Sequence, residues 1–251
     1  RQILKQMERF LAEIKVNTQT VYHVKNSSDL FTPENSEKIG CILHIEGGEC
    51  LGTDMEILSL LYRAGLRSMG LTWNHRNLLA DGAGEGKSAG GLSRLGKDIV
   101  KEMSRLGIML DLAHISPPSF YNALDFYPQP VLVSHANARA LCPHWRNLDD
   151  NQLRALADHG GLIGITQVAD FVKEGHAVID DMLDHIVYIA DLIGVEHVAL
   201  GSDFDGADNM VIDNVGGYAE LPEHLARRGF AAQEIEMILS ENALRVIRQV
   251  I

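Results

Sequence analysis

Four residues of the kinds that bind metal ions occur where short apolar runs end. Glu46 follows Ile42-Leu-His-Ile and precedes two glycines, and His114, His135 and Asp203 each lie at the end of a later run rich in aliphatic residues. Such runs are typical of strands that are buried in a parallel sheet. Because the carboxyl ends of the strands of an α/β barrel meet at one face, the four side chains should converge. The pattern therefore predicts a metal site built from distant parts of the chain.

Carboxylate oxygens and imidazole nitrogens suit Zn²⁺ or a similar divalent ion, and three protein ligands leave one coordination position open for water. A single histidine at a strand end is more often a hydrogen-bonded structural residue, so the prediction depends on the whole set. His44 shares a strand face with Glu46, and on chemistry alone the two residues are candidate ligands together. The other role open to His44 is to fill the interior of a barrel.

Strand and helix patterns alternate along the chain. Residues 1–15 have apolar side chains at a spacing of three and four, which predicts an amphipathic helix. Thr53-x-x-Glu56 is typical of a capping box, and Gly65, Gly107 and Gly194 each follow a predicted helix. The six predicted strands lie near residues 40–46, 68–73, 107–114, 130–135, 162–166 and 197–203. This alternation favours one α/β domain with a parallel sheet over residues 1–251.

Composition narrows the class of protein. With 251 residues, of which 46% are hydrophobic, the chain can bury one sizeable core. A net charge of −12 argues against nucleic acid as a partner, and no apolar run reaches the roughly 20 residues that cross a bilayer. Cys41, Cys50 and Cys142 lack a C-x-x-C spacing, so we expect free thiols, a reducing compartment and a cytoplasmic location. No signal peptide is present, but the chain begins at Arg1 rather than Met, which leaves targeting open.

Five motifs, taken in chain order, resemble those of one enzyme family. They are Ile45-Glu-Gly-Gly48, Asp111-Leu-Ala-His-Ile115, Ser134-His-Ala136, Arg146-Asn147 and Gly201-Ser-Asp-Phe-Asp-Gly206. The chain is similar over essentially its whole length to the membrane (renal) dipeptidase family of zinc metallopeptidases. The resemblance implies an α/β fold of the (β/α)₈ TIM-barrel type and a hydrolase that uses two zinc ions. It also implies dipeptide substrates, often with a D-residue at the C-terminal position.

The resemblance also implies roles for single residues. Glu46 would bridge the two metals and take part in catalysis, and His114 and His135 would complete the shell of the second metal. Arg146 would bind the carboxylate of the substrate, which suits the paired donors of a planar guanidinium. Asp203 would pass a proton from the metal-activated water to the leaving amine. The expected partners are a dipeptide and, as a candidate assembly, a second copy of the chain in a homodimer.

Two departures from the family pattern matter. The first metal of the family also uses a His-x-Asp pair on the first barrel strand, and no such pair precedes Glu46. A closed barrel has two strands more than the six predicted, so we expect the first two strands and this pair to lie before Arg1. The substrate-polarising histidine of the family falls on Trp73. His75, two residues further on the same predicted strand face, is the candidate replacement as a substrate-binding donor to the oxyanion.

Two alternatives to a dipeptidase remain open at this level. One is a noncatalytic homologue that binds a metal or a peptide. The other is a different barrel metallohydrolase that acts on lactones, amides or phosphoesters, because a fold alone does not define the reaction. A His-x-Asp pair in upstream sequence would favour the dipeptidase over the first of these.

Overall fold

The computed structural model describes residues 2–251, and ten α-helices lie in this part of the chain. The C-terminal helical region begins at Ala232, and a π-helical turn at Met237–Glu241 divides it. The helices are α1 (Gln2–Val16), α2 (Met55–Arg63), α3 (Arg94–Leu106), α4 (Pro117–Phe126), α5 (Asp150–Asp158), α6 (Ala169–Val172), α7 (Ile179–Ile193), α8 (Leu221–Arg227), α9 (Ala232–Glu236) and α10 (Asn242–Val250).

Eight strand segments form two parallel sheets within residues 2–251. They are β1 (Val21–His23), β2 (Ile39–Cys41), β3 (Leu43–Ile45), β4 (Leu66–Gly70), β5 (Met109–Asp111), β6 (Leu132–Ala136), β7 (Leu162–Ile165) and β8 (Val198–Leu200). Strands β3 to β8 pair in chain order in a six-stranded sheet, and β1 pairs with β2. Parallel strands that pair in chain order, with helices between them, are typical of a fold of the βα-barrel type, as predicted. In the described residues the six-stranded sheet is open, because β3 and β8 do not pair.

The small sheet adds a strand that the sequence patterns did not reveal. Val21 to His23 pair in parallel with Ile39 to Cys41, and only Ile42 separates β2 from β3. Strand β1 is therefore a seventh parallel strand beside the six that were predicted. The inference that two strands precede Arg1 depended on a count of six, and it no longer follows from the count.

Strands β4 and β8 end earlier than predicted, and both differences affect the site. Strand β4 ends at Gly70, so Trp73 and His75 lie in the following loop. The chain leaves the sheet there because the Leu71 carbonyl accepts hydrogen bonds from Gly48 N, at 3.0 Å, and from Asn77 Nδ2, at 2.7 Å. Strand β8 ends at Leu200, which leaves Asp203 in a loop three residues beyond it.

Most helix ends follow the predicted signals. In α3, Ser93 Oγ accepts a hydrogen bond from Gly96 N at 3.0 Å, and Gly107 ends the helix with a φ of 73°. The capping box at Thr53 was wrong by one residue, because Asp54 is the N-cap residue of α2 and its side chain makes no capping bond. The local signals were therefore sound to within about one residue.

The large sheet is buried on both faces. Every residue of β4, β5 and β7 is buried, and Leu110, Val133 and Ile163 have no exposed surface. This is typical of a parallel sheet whose connections place helices over it. No helix within residues 2–251 combines the length and the apolar character needed to cross a bilayer.

Candidate metal centre

The carboxyl ends of β3, β5 and β6 bring Glu46, His114 and His135 together. Glu46 directly follows β3, and His114 lies three residues after β5 with a left-handed φ of 63°. His135 lies within β6, where the pairing with β7 is irregular between Val133 and Ala136. Such irregularities redirect side chains at the rims of barrels. The predicted convergence of these three residues is therefore present.

The three side chains point at one small volume. Glu46 Oε1 lies 2.9 Å from His114 Nε2 and 3.4 Å from His135 Nε2, and the two Nε2 atoms are 2.8 Å apart. Each residue offers a ligand atom within 4.8 Å of the other two. Both histidines are 7% exposed, so water hardly competes for these atoms. Within the described residues this is the one group of three such side chains arranged to hold a metal ion.

The chemistry of the donor set fits a divalent cation. His114 Nδ1 lies 2.7 Å from Asn74 Oδ1, and His135 Nδ1 lies 2.8 Å from Ser134 Oγ. Each imidazole therefore uses Nδ1 for a hydrogen bond and turns Nε2 toward the other ligands. A carboxylate oxygen and two Nε2 atoms at such distances repel one another unless a proton or a metal ion lies between them. The residues thus fit the metal of the predicted site.

The local electrostatics favour the metal-binding forms of Glu46 and His135. A hydrogen bond from His114 lowers the pKa of Glu46 to about 2, although burial opposes this shift. Burial lowers the pKa of His135 to about 4, and the positive charge of Arg146 lowers it further. Near neutral pH, Glu46 is therefore a carboxylate and His135 a neutral imidazole, which are the forms that bind metals.

Arg146 lies beside this cluster with donors that no protein group uses. It is 3% exposed, and Nη2 donates to the carbonyl of His135 at 3.2 Å. Its Nε is buried without a partner, and within residues 2–251 Arg146 forms no salt bridge. Burial lowers the pKa of Arg146 to about 10, although nearby carboxylates, Asp111 first among them, oppose this shift. The guanidinium is therefore a buried cation near neutral pH.

Asp203 approaches the cluster from the loop after β8. Its φ of 62° is left-handed, and its Oδ2 lies 3.9 Å from His135 Nε2. Burial raises the pKa of Asp203, and the negative charge of Glu46 raises it further. A carboxylate with a raised pKa is a better proton acceptor than an ordinary aspartate. Asp203 is thus near the candidate metal position without being part of the three-residue group.

Comparison with known proteins identifies the family. The model of the membrane dipeptidase family (peptidase family M19) matches residues 1–251. The chain belongs to the membrane dipeptidase family. It is 33% identical over 229 residues to the dipeptidase tcpJ of Claviceps purpurea (strain 20.1), an alignment that covers 89% of this chain and 54% of that one. It is 35% identical over 219 residues to the dipeptidase aclJ of Aspergillus oryzae, covering 85% and 52%. The chain spans about half the length of these two relatives.

A solved structure supports the same relation. The metallo peptidase from Rhodobacter sphaeroides, liganded with a phosphinate mimic of the dipeptide L-Ala-D-Ala, superimposes with a TM-score of 0.93. Its sequence identity is 26%, and the match covers 99% of this chain and 74% of that chain. The α/β fold of the barrel type that the sequence predicted is therefore the fold of the membrane dipeptidase family. Membership in this metallopeptidase family implies a metal cofactor, and the prediction that the cofactor is two zinc ions stays a prediction.

Two histidines proposed from the sequence lie outside the three-residue group. His75 has a side chain that is 77% exposed, and its Nδ1 is 3.9 Å from Glu85 Oε1. His75 does not lie on a strand face as predicted, because the strand ends before it. Its role toward the substrate stays a prediction. His44 contacts Ser68 Oγ at 2.9 Å and is not among the three converging ligands, which agrees with an interior role.

Sequence reasoning assigned no role to three residues that contact the imidazoles or their partners. Asn74 and Ser134 accept from the two Nδ1 atoms, and Asp111 contacts Ser134. Asp111 and Ser134 were already within the quoted motifs, directly beside or near the two histidines. Polar residues next to a predicted ligand are the signal that could have identified them, because a metal-bound histidine usually has a hydrogen-bond partner at its other nitrogen.

Proposed function

We propose that the chain is the catalytic domain of a metal-dependent dipeptidase, with residues 1–251 as a single domain. The observation that carries this proposal is the convergence of Glu46, His114 and His135 beside the unpaired guanidinium of Arg146 in a member of a dipeptidase family. Zinc is the proposed ion, since one carboxylate and two imidazoles are ligands that zinc favours. These three residues provide for one ion, and a second zinc would need ligands besides Glu46.

The proposed substrate is a dipeptide with a free C-terminal carboxylate. Arg146 is buried, charged and without a carboxylate partner in the described residues, so binding an anionic group would use donors that are otherwise idle. The L-Ala-D-Ala mimic bound to the Rhodobacter sphaeroides relative supports a dipeptide with a D-residue at the second position. The requirement for a nearby carboxylate would exclude longer peptides, whose carboxylate lies beyond the reach of Arg146.

The residues of the chain divide the remaining work between them. When bound, a divalent ion supplies Lewis acidity, which lowers the pKa of water and polarises a carbonyl group. Glu46, His114 and His135 would hold the ion. Asp203, whose pKa burial raises, would accept a proton from the attacking water and return it to the leaving amine. An exposed donor such as His75 would have to move toward the substrate to contact the oxyanion.

Two further features of the proposal concern the setting of the enzyme. Cys41, Cys50 and Cys142 are all free thiols, which supports a reducing compartment, and we propose the cytoplasm. A homodimer is the proposed assembly, and sedimentation velocity of the purified protein tests it. A sedimentation coefficient of a monomer across the working concentration range would contradict the dimer.

Metal reconstitution followed by hydrolysis assays tests the function. We would remove metal with a chelator, add zinc, and measure hydrolysis of L-Ala-L-Ala, L-Ala-D-Ala and the tripeptide L-Ala-L-Ala-L-Ala. We expect zinc-dependent cleavage of the dipeptides and little cleavage of the tripeptide. His114→Gln should abolish activity, whereas the exposed His176→Gln should not. Zinc binding without hydrolysis of any dipeptide would favour a noncatalytic binding protein instead.

A further inference from the structure

A buried carboxylate organises the end of β5 against β6. Asp111 is 1% exposed and is the last residue of β5. Its Oδ1 accepts hydrogen bonds from Ala113 N and from Ser134 N, both at 2.9 Å. Its Oδ2 accepts from Ser134 Oγ at 2.5 Å. The backbone and the side chain of Ser134 are therefore both attached to this one carboxylate.

The Asp111 contact determines the direction of the next hydrogen bond. A hydroxyl group has a single hydrogen, and a carboxylate can only accept, so the Ser134 hydroxyl points its hydrogen at Asp111. Its oxygen must then accept from His135 Nδ1, which lies 2.8 Å away. His135 consequently has its hydrogen on Nδ1 and a lone pair on Nε2. That lone pair is the one turned toward Glu46 and His114.

Other polar groups near Asp111 do not provide the same link. His44 Nε2 lies 3.6 Å from Asp111 Oδ2, which is too long for a hydrogen bond, and its Nδ1 contacts Ser68 Oγ at 2.9 Å. His114 has a separate acceptor, since the neutral side-chain oxygen of Asn74 lies 2.7 Å from its Nδ1. The charged carboxylate is thus linked to one of the two imidazoles only, and it acts through a hydroxyl.

We propose that Asp111 and Ser134 are positioning residues that hold His135 in the tautomer with hydrogen on Nδ1, so that Nε2 is always ready to bind the metal. This inference rests on the proposed metal-dependent function. A histidine ligand needs its free lone pair on the nitrogen that faces the ion, and a partner at the other nitrogen selects that tautomer. Without the hydroxyl, the tautomer with hydrogen on Nε2 would compete, and it cannot bind the metal.

The backbone around Ser134 is secured independently of its hydroxyl. A Cβ atom added to Gly164 of β7, or to Gly201 just after β8, would collide with the Ser134 carbonyl oxygen, so both glycines approach this peptide closely. Ser134 N keeps its bond to Asp111 when the side chain is shortened. Ser134→Ala should therefore remove one hydrogen-bonded link and leave the strand in place, whereas Asp111→Asn would also disturb the backbone contacts.

The test compares Ser134→Ala with Ser134→Thr, which restores a hydroxyl, and with Ser68→Ala, which removes a hydroxyl that contacts His44 but no proposed ligand. Long-range ¹H–¹⁵N NMR of the metal-free proteins at neutral pH reports the tautomer of His135. We expect hydrogen on Nδ1 in the parent, Ser134→Thr and Ser68→Ala proteins, and a mixture of tautomers in Ser134→Ala. Zinc affinity, measured by competition with a chromophoric chelator, should fall by about 10- to 100-fold in Ser134→Ala alone.

Several outcomes would overturn the inference. Hydrogen on Nε2 in the parent would do so, as would a Ser134→Ala protein whose tautomer and zinc affinity equal those of the parent. A loss of affinity of the same size in Ser68→Ala would show that the effect is a general structural one. A parent that binds zinc, shows the expected tautomer and cleaves no dipeptide would contradict the proposed function and leave this inference intact. If the parent hydrolyses dipeptides and Ser134→Ala changes neither the tautomer of His135 nor the zinc affinity, the result would contradict this inference and leave the proposed function intact.

Discussion

Replacing Arg146 by methionine tests whether its guanidinium binds the free carboxylate of a dipeptide. The Nη2 atom donates to the His135 carbonyl, and Nε has no partner in the described part of the chain. The guanidinium therefore has spare N–H groups for a substrate carboxylate, and a hydrogen bond between charged groups contributes about 1.5–3 kcal/mol. Since about 1.4 kcal/mol is a factor of ten, kcat/KM for a dipeptide should fall by about 10- to 150-fold.

The assay measures kcat/KM of the parent and of the Arg146→Met protein for a dipeptide and for its C-terminal amide. The amide has no carboxylate, so it should be a poor substrate of the parent and should lose little more in the variant. Arg154→Met changes an exposed arginine on α5 and provides the matched control, which should behave like the parent. Losses of equal size for the dipeptide and for the amide would refute carboxylate binding, because they would show that Arg146 acts through the fold or through His135.

The other predictions concern the proton acceptor, the metal and acid stability. Asp203→Asn should lower kcat more than it changes KM, because an amide cannot accept the proton; steady-state kinetics check this, and an effect on KM alone would contradict it. Glu46→Gln should weaken zinc binding in a competition titration, and unchanged affinity would exclude Glu46 as a ligand. A hydrogen bond from Arg76 lowers the pKa of Asp81 in the folded protein. The ionised Asp81 carboxylate therefore stabilises the fold at pH values above the pKa that Asp81 has in the unfolded chain. This stabilisation is lost as the pH falls through the lower pKa of the folded protein. In Asp81→Asn, the free energy of unfolding measured with urea should therefore fall less steeply as the pH is lowered. An identical pH dependence in parent and variant would contradict a stabilising interaction between Arg76 and Asp81.

Much of the fold could be predicted from local patterns. The helix that ends at Gly107 and the buried runs of β5, β6 and β7 follow directly from apolar spacing and from glycine at a left-handed position. Strand β1 escaped prediction because Val21 to His23 is too short to show a period, and its pairing with β2 is a long-range property. The early end of β4 depends on the contact between Asn77 and Leu71, which no pattern within the strand reveals.

The site residues also divide into those that the sequence pattern predicts and those that depend on contacts between distant parts of the chain. Glu46, His114 and His135 could be predicted because strand ends in a parallel barrel share one face, so position along the chain translates into position in space. His75 was misplaced because the alternation argument requires a strand, and the chain has already left the sheet there. The roles of Asn74 and Ser134 were missed because hydrogen-bond direction depends on side-chain geometry, which residue spacing does not contain.

The left-handed backbone at His114 and Asp203 has a consequence for how this protein can evolve. A residue with a Cβ atom held in a sparsely populated conformation costs on the order of 1–3 kcal/mol, and glycine adopts this conformation freely. Selection for heat resistance alone would therefore reward glycine at both positions, and each replacement would delete a group that the proposed chemistry needs. Libraries screened for stability without an activity screen should accumulate these two changes.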